Sequence, residues 1–183
     1  MTWNIPNILT LSRIAIIPFF MFAYYNYPTL ALVLFIVASV TDFVDGYLAR
    51  KYQKITNFGK YMDPLADKLL VFSALMMFVQ TGVMPTWIAM LVLARELLIT
   101  GLRTLAAEQK IVMAADLSGK IKTTVQTFSI IFLMTPLAAY TVGPVSLSMA
   151  VNYLILAVTI WSGVDYFYRY RHVFSDAGNK KSD

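Results

Sequence analysis

Four aspartates, Asp42, Asp45, Asp63 and Asp67, crowd into the stretch from Thr41 to Lys68. Asp42 and Asp45 are three residues apart, and Gly46 and Ala49 continue the same helical face. Gly59, Asp63 and Asp67 repeat at intervals of four, which also keeps them on one face. Carboxylates pooled in a partly dehydrated place repel one another and stay ionised only beside compensating cations. Hard oxygen donors of this kind suit Mg²⁺ or Mn²⁺. Two such ions about 3.5–4 Å apart form a recurring clamp for phosphoryl-transfer chemistry. Gly46, Ala49 and Gly59 add little bulk, so a ligand can approach the backbone between the acids. The competing reading pairs the acids with Arg50, Lys51, Lys60 and Lys68 as an interfacial charge network. Four acids at these spacings, interleaved with small residues, favour metal binding, and ionisable groups inside membrane spans are functional candidates by default.

The elements that must position these acids are apolar helices. Of the 183 residues, 58% are hydrophobic and only 14% charged, with a mean hydropathy of +0.65. A soluble domain carries about a quarter charged residues. Apolar runs extend toward the roughly 20 residues needed to cross a bilayer. The expected fold is an all-α polytopic membrane protein with six transmembrane helices near 7–26, 28–49, 57–81, 85–107, 119–140 and 144–169. It forms a single domain over 1–183, with 176–183 as a flexible cytoplasmic tail. Pro28, Pro85 and Pro144 suit helix starts, while Pro18 and Pro64 fall inside spans and predict local irregularity.

Charge then orients the chain. The connections Tyr24–Tyr27, Gln80–Met84 and Tyr140–Gly143 carry no charge. The alternate segments carry Arg50, Lys51, Lys54 and Lys60, then Lys110, Lys120 and Lys122, then Arg169, Arg171, Lys180 and Lys181. Basic residues gather on the cytoplasmic side, so both termini and the aspartates are expected to face the cytoplasm from a cell membrane. The net charge of +5 is read as this topology signal, with no nucleic-acid partner. The N-terminus lacks the basic region and small-residue cleavage site of a signal peptide. Zero cysteines exclude disulfides and thiolate metal sites without fixing a compartment. His172, beside Arg171 in the basic tail, is given no catalytic role.

A second group of residues speaks to an acceptor. Arg95 and Glu96 stand well inside an apolar run, and Arg103 follows eight residues after Arg95 on roughly the same face. Lys120 and Lys122 open the next helix. A cation deep in a span needs a partner or a wet cavity. A cationic pocket suits a substrate that already carries a phosphate. The alternatives are a structural tie through Glu96 and simple positive-inside anchoring for the lysines.

Asp42-x-x-Asp45-Gly46-x-x-Ala49-Arg50, eight residues, then Gly59-x-x-x-Asp63-x-x-x-Asp67 resembles the complete CDP-alcohol phosphotransferase motif. The resemblance implies a six-helix integral membrane enzyme, usually a homodimer, that moves a phosphatidyl or related group from a CDP-linked donor to an alcohol and releases CMP. By motif position, Asp42, Asp45 and Asp63 would bind metal, and Asp67 would be the general base and touch the second of two Mg²⁺ or Mn²⁺ ions. Gly46 and Arg50 would contact the CDP part of the donor, with Ala49 and Gly59 beside it and Thr56 a further contact. Asn7, Thr10 and Arg13, in the segment Ile5–Arg13 leading into the first helix, share a face and could reach the nucleotide or a phosphate. The alternative there is a helix cap at Asn7 and an interfacial arginine. From the N-terminal Asn-Ile-Pro-Asn through Ala94-Arg95-Glu96 to Gly119-Lys120-Ile121-Lys122-Thr123, the chain is similar to phosphatidylglycerophosphate synthases. That similarity implies CDP-diacylglycerol as donor and sn-glycerol 3-phosphate as acceptor, with Arg13, Arg95, Arg103, Lys120 and Lys122 as phosphate-binding candidates. Other acceptors of the family, inositol phosphate, serine or phosphatidylglycerol, are the nearer alternatives. A divalent-cation transporter is the remoter one, since it predicts acids along a transmembrane path and the outer loops here have none.

Overall fold

A computed structural model describes residues 5–52, 57–108 and 117–171, with side chains outside the description at 5–10, 42–52, 57–64, 67 and 108. Among the described residues six α-helices follow in order: α1 Ile5–Asn26, α2 Pro28–Tyr52, α3 Asn57–Gln80, α4 Thr86–Glu108, α5 Leu117–Leu133 and α6 Leu147–Arg169. Helix α1 continues through Pro18 and α3 through Pro64, so neither proline ends its helix. Helix α6 is long and apolar enough to cross a membrane, and Pro28–Thr41 and Lys68–Gln80 are shorter apolar stretches.

Two connections differ from expectation. Helix α5 stops at Leu133 rather than near 140 and gives way to a 3₁₀ turn over Pro136–Ala139. Pro136 has no N–H and disfavours helix at Thr135 before it. The chain then forms a two-residue hairpin between β1, Thr141–Val142, and β2, Val145–Ser146. Gly143 adopts φ +62 at the first turn position and Pro144 follows, which is the pattern of a type II′ turn. Pro144 therefore serves the hairpin, and α6 begins at Leu147 behind an N-cap in which Ser146 Oγ accepts from the Met149 N–H.

Helix α3 ends in a Schellman closure. The Val83 N–H donates to Phe78 O at 2.9 Å and the Gly82 N–H to Val79 O at 3.2 Å. Gly82 sits at φ +72, where a Cβ would be strained.

The described chain groups into two compact units. The first holds residues 1–83 and 130–139, and the second holds 84–129 and 140–183. In the first, α1 packs on both α2 and α3. Its core is built on small residues, Ala23, Ala31, Ala38, Ala66 and Ala74, filled in by Phe20, Phe35, Leu75 and Phe78. Alanines let helix backbones approach closely, the usual basis of packing where lipid removes the hydrophobic drive. Phe20 meets Phe35 at 6.0 Å between ring centroids, and Tyr24 meets Phe78 at 6.0 Å. In the second unit α4 packs on α6, with Ile99, Leu102, Ala106 and Tyr166 forming one cluster.

The exterior is as apolar as the core. Phe19, Phe22, Val33, Val40, Met90, Leu97, Leu98, Phe128, Leu154 and Val164 are all exposed. Apolar surface of this extent on helix after helix exceeds what soluble monomers display.

Candidate active site

The aspartates fall on two helices that touch in the first unit. Asp42, Asp45, Gly46, Ala49 and Arg50 lie in the C-terminal part of α2, and Gly59, Asp63 and Asp67 in the N-terminal half of α3. Only four residues separate the helices, so they run antiparallel. At 1.5 Å per residue, Asp45 lies about 10 Å back from Tyr52 and Asp63 about 9 Å on from Asn57. Asp42 and Asp67 lie about 15 Å from the same two ends. The four acids therefore fall at two matched distances from these helix ends. Their side chains, with those of Asn7, Thr10, Gly46, Ala49, Arg50 and Gly59, lie outside the described residues, as does Thr56 altogether.

Arg13 joins them in depth. It stands on α1, and measured from Tyr27 between α1 and α2 it lies about 21 Å along α1, against about 22 Å along α2 for Asp42. Its side chain is 1% exposed and is the largest of the fully buried ones. An arginine at the water interface would show its guanidinium to solvent, and Arg13 does not. Ile5 and Pro6 are already helical, so Asn7 lies within α1 rather than at a cap.

Apart from Arg13, the acceptor candidates belong to the second unit, Arg95 and Arg103 on α4 and Lys120 and Lys122 at the start of α5. Glu96 Oε1 accepts from Arg95 Nη1 at 3.0 Å and from Lys122 Nζ. Lys122 is 4% exposed, so this is a buried tie between α4 and α5. The structural-tie alternative for Glu96 is what the geometry shows. Arg103 donates to the hydroxyl of Tyr166 through Nε at 3.1 Å and Nη2 at 2.6 Å. Lys120 is exposed on α5.

Sequence reasoning passed over Tyr166, Asp165 and Ser118 as functional supports. Tyr166 is fully buried, and Gly119 lets its ring lie close, since a Cβ there would meet Tyr166 Cε2 at 3.8 Å. Asp165 accepts from Ser118 Oγ at 2.6 Å and from Arg169 Nε at 2.8 Å, joining the start of α5 to the end of α6. Its signal was available, because an acid inside the last apolar run needs a partner.

Residues 3–161 match the model of the CDP-alcohol phosphatidyltransferase family. A Bacillus subtilis protein named CDP-diacylglycerol--glycerol-3-phosphate 3-phosphatidyltransferase is 40% identical, over 90% of this chain and 94% of its own. Proteins of the same name from Rickettsia felis and Pectobacterium atrosepticum are each 37% identical, covering 90% and 94% of this chain and 93% and 97% of theirs. A family model spanning most of the chain, and relatives aligned nearly end to end, place the protein in the CDP-alcohol phosphatidyltransferase family.

Proposed function

We propose that the protein transfers the phosphatidyl group of CDP-diacylglycerol to sn-glycerol 3-phosphate, forming phosphatidylglycerophosphate and CMP. The observation that carries this reading is the placement of four aspartates at two matched distances along α2 and α3, with buried Arg13 at the depth of Asp42. The names of the end-to-end relatives supply the donor and the acceptor.

The donor set fits divalent metal: carboxylates at matched distances offer the hard oxygen ligands that Mg²⁺ or Mn²⁺ takes. Asp42, Asp45 and Asp63 would hold it, with Asp67 reaching a second ion. Bound there, it would neutralise the pyrophosphate of the donor and the charge developing on departing CMP. Asp67 accepts the proton of the glycerol hydroxyl as that oxygen bonds to the phosphorus bearing diacylglycerol. The bond from this phosphorus to the CMP oxygen breaks. Gly46 and Arg50, with Ala49, Gly59, Thr56, Asn7 and Thr10 around them, contact the CDP moiety, and Arg13 adds buried positive charge. Positioning and electrostatics supply most of the acceleration in such transfers.

Because Glu96 already binds Arg95 and Lys122, the acceptor phosphate is assigned first to Arg103 and Lys120. Tyr166 fixes the direction of the Arg103 guanidinium. The apolar exterior supports six membrane crossings, and the alternation of charged and uncharged connections supports a cytoplasmic site. A homodimer is the expected assembly. The test is CMP release by purified protein with Mg²⁺ and CDP-diacylglycerol, offered glycerol 3-phosphate, inositol phosphate, serine or phosphatidylglycerol in turn. Release with glycerol 3-phosphate alone supports the assignment, and release with another acceptor alone overturns it.

A further inference from the structure

An apolar groove runs between α4 and α6 in the second unit. It measures about 630 Å³ and is walled by Leu91, Leu98, Ile160, Val164 and Phe167, with Arg95 in its side and Arg171 at its end. The volume lies within the roughly 300–1,000 Å³ range of ligand pockets. The apolar wall extends seven residues along each helix, from Leu91 to Leu98 and from Ile160 to Phe167, or about 10 Å. Gly163 opens it, since a Cβ there would meet Arg95 Cγ at 3.4 Å.

Charge decides the occupant. Among the described residues that line it none is acidic, and two are arginines. Arg95 keeps Nε and Nη2 without a hydrogen-bond partner among the described residues, and the Thr159 hydroxyl behind the same wall lacks one too. Arg95 and Lys122 share the carboxylate of Glu96. Arg171 is exposed, its guanidinium 4.9 Å from the centre of the Tyr168 ring, at the end of α6 where the apolar span stops. A second copy docked here by two-fold symmetry would bring two more arginines to a patch whose described lining offers no acid to receive them.

We infer that this groove binds an anionic diacyl phospholipid of the bilayer, with one acyl chain along the α4–α6 wall and the phosphate at Arg171. Its walls come from α4 and α6, whereas the donor is assigned to residues of α1, α2 and α3.

The test uses the full chain, purified in detergent, and phosphatidic acid carrying a mid-chain diazirine. Photolabelling is expected on the peptides spanning 91–98 and 160–168, at least fivefold stronger than with the matching phosphatidylcholine probe. Arg171→Gln should cut the phosphatidic acid label about fivefold, the worth of one basic residue at a membrane surface, with CMP release unchanged. Ile160→Trp, which fills the groove from the lipid side, should remove the label in protein that still releases CMP. Asp67→Asn should keep the label while losing turnover, so failure of this inference and failure of the proposed reaction are separately visible. Equal labelling by the neutral lipid, or label spread evenly over the helices, would overturn the inference. So would disulfide-linked dimers of an Ile160→Cys variant, whose thiol is unique because the chain has no cysteine.

Discussion

Removing the carboxylate of Glu96 tests the second unit most directly. Glu96→Ala takes one acceptor away from two cations at once, Arg95 at 3.0 Å and the buried Lys122. Breaking a buried ion pair from one side costs about 3–5 kcal/mol. Glu96 keeps 16% of its side chain exposed and Arg95 keeps 12%, so the low end applies, about 3 kcal/mol. For a chain of this length each kcal/mol lowers Tm by about 2–4 °C, giving a fall of about 6–12 °C. The assay is thermal denaturation of detergent-purified protein followed by circular dichroism, without substrates. Glu96→Gln keeps an oxygen acceptor and should fall by about half as much. Combining it with Lys122→Met should recover part of the loss, because residues in one ion-pair network couple by about 0.5–3 kcal/mol. A Glu96→Ala shift under about 2 °C, with strictly additive double variants, would refute the buried tie.

Other outcomes follow from the site. Asp67→Asn should lower CMP release at least a hundredfold, within the range for a lost general base, while CDP-diacylglycerol still binds in a filter assay; retained turnover removes the base role. Stripping divalent ions with EDTA should abolish release, and added Mg²⁺ should restore it; full turnover in metal-free buffer would exclude the carboxylate–metal assignment. Tyr166→Phe removes the acceptor of both Arg103 bonds and should raise KM for glycerol 3-phosphate several-fold with little change in kcat. An unchanged KM would take Arg103 out of the acceptor site.

Much of this was legible because the informative residues act locally. The acids declare their chemistry through type and spacing on single helices, and long apolar runs declare α1 to α4 to within three residues at each end. The end of α5 was misjudged because hydropathy carried the helix through Met134–Ala139, although Pro136 held the contrary signal. Pro144 by itself suits the entry to a helix, yet a left-handed glycine before proline also closes a hairpin, and that choice depends on how β1 and β2 pair. The roles of the cations were least legible. Lys122 lies 26 residues from Glu96 and Arg103 lies 63 from Tyr166. No periodicity within one helix reports which side chain a neighbouring helix will offer.

The alanine-built core of α1, α2 and α3 has a consequence for how this sequence can change over time. Ala31, Ala66 and Ala74 are wholly buried where helices meet, so any added methylene must push two backbones apart. Outward positions such as Phe22, Val33 and Leu69 face no such neighbour, and there one bulky apolar residue can replace another. Tolerance is thus reversed from the soluble pattern. Drift should run freely over the greasy skin, within apolar types, and stall at the smallest residues inside. A saturation scan scored for folded protein should find its strictest positions among alanines, ahead of the large hydrophobics.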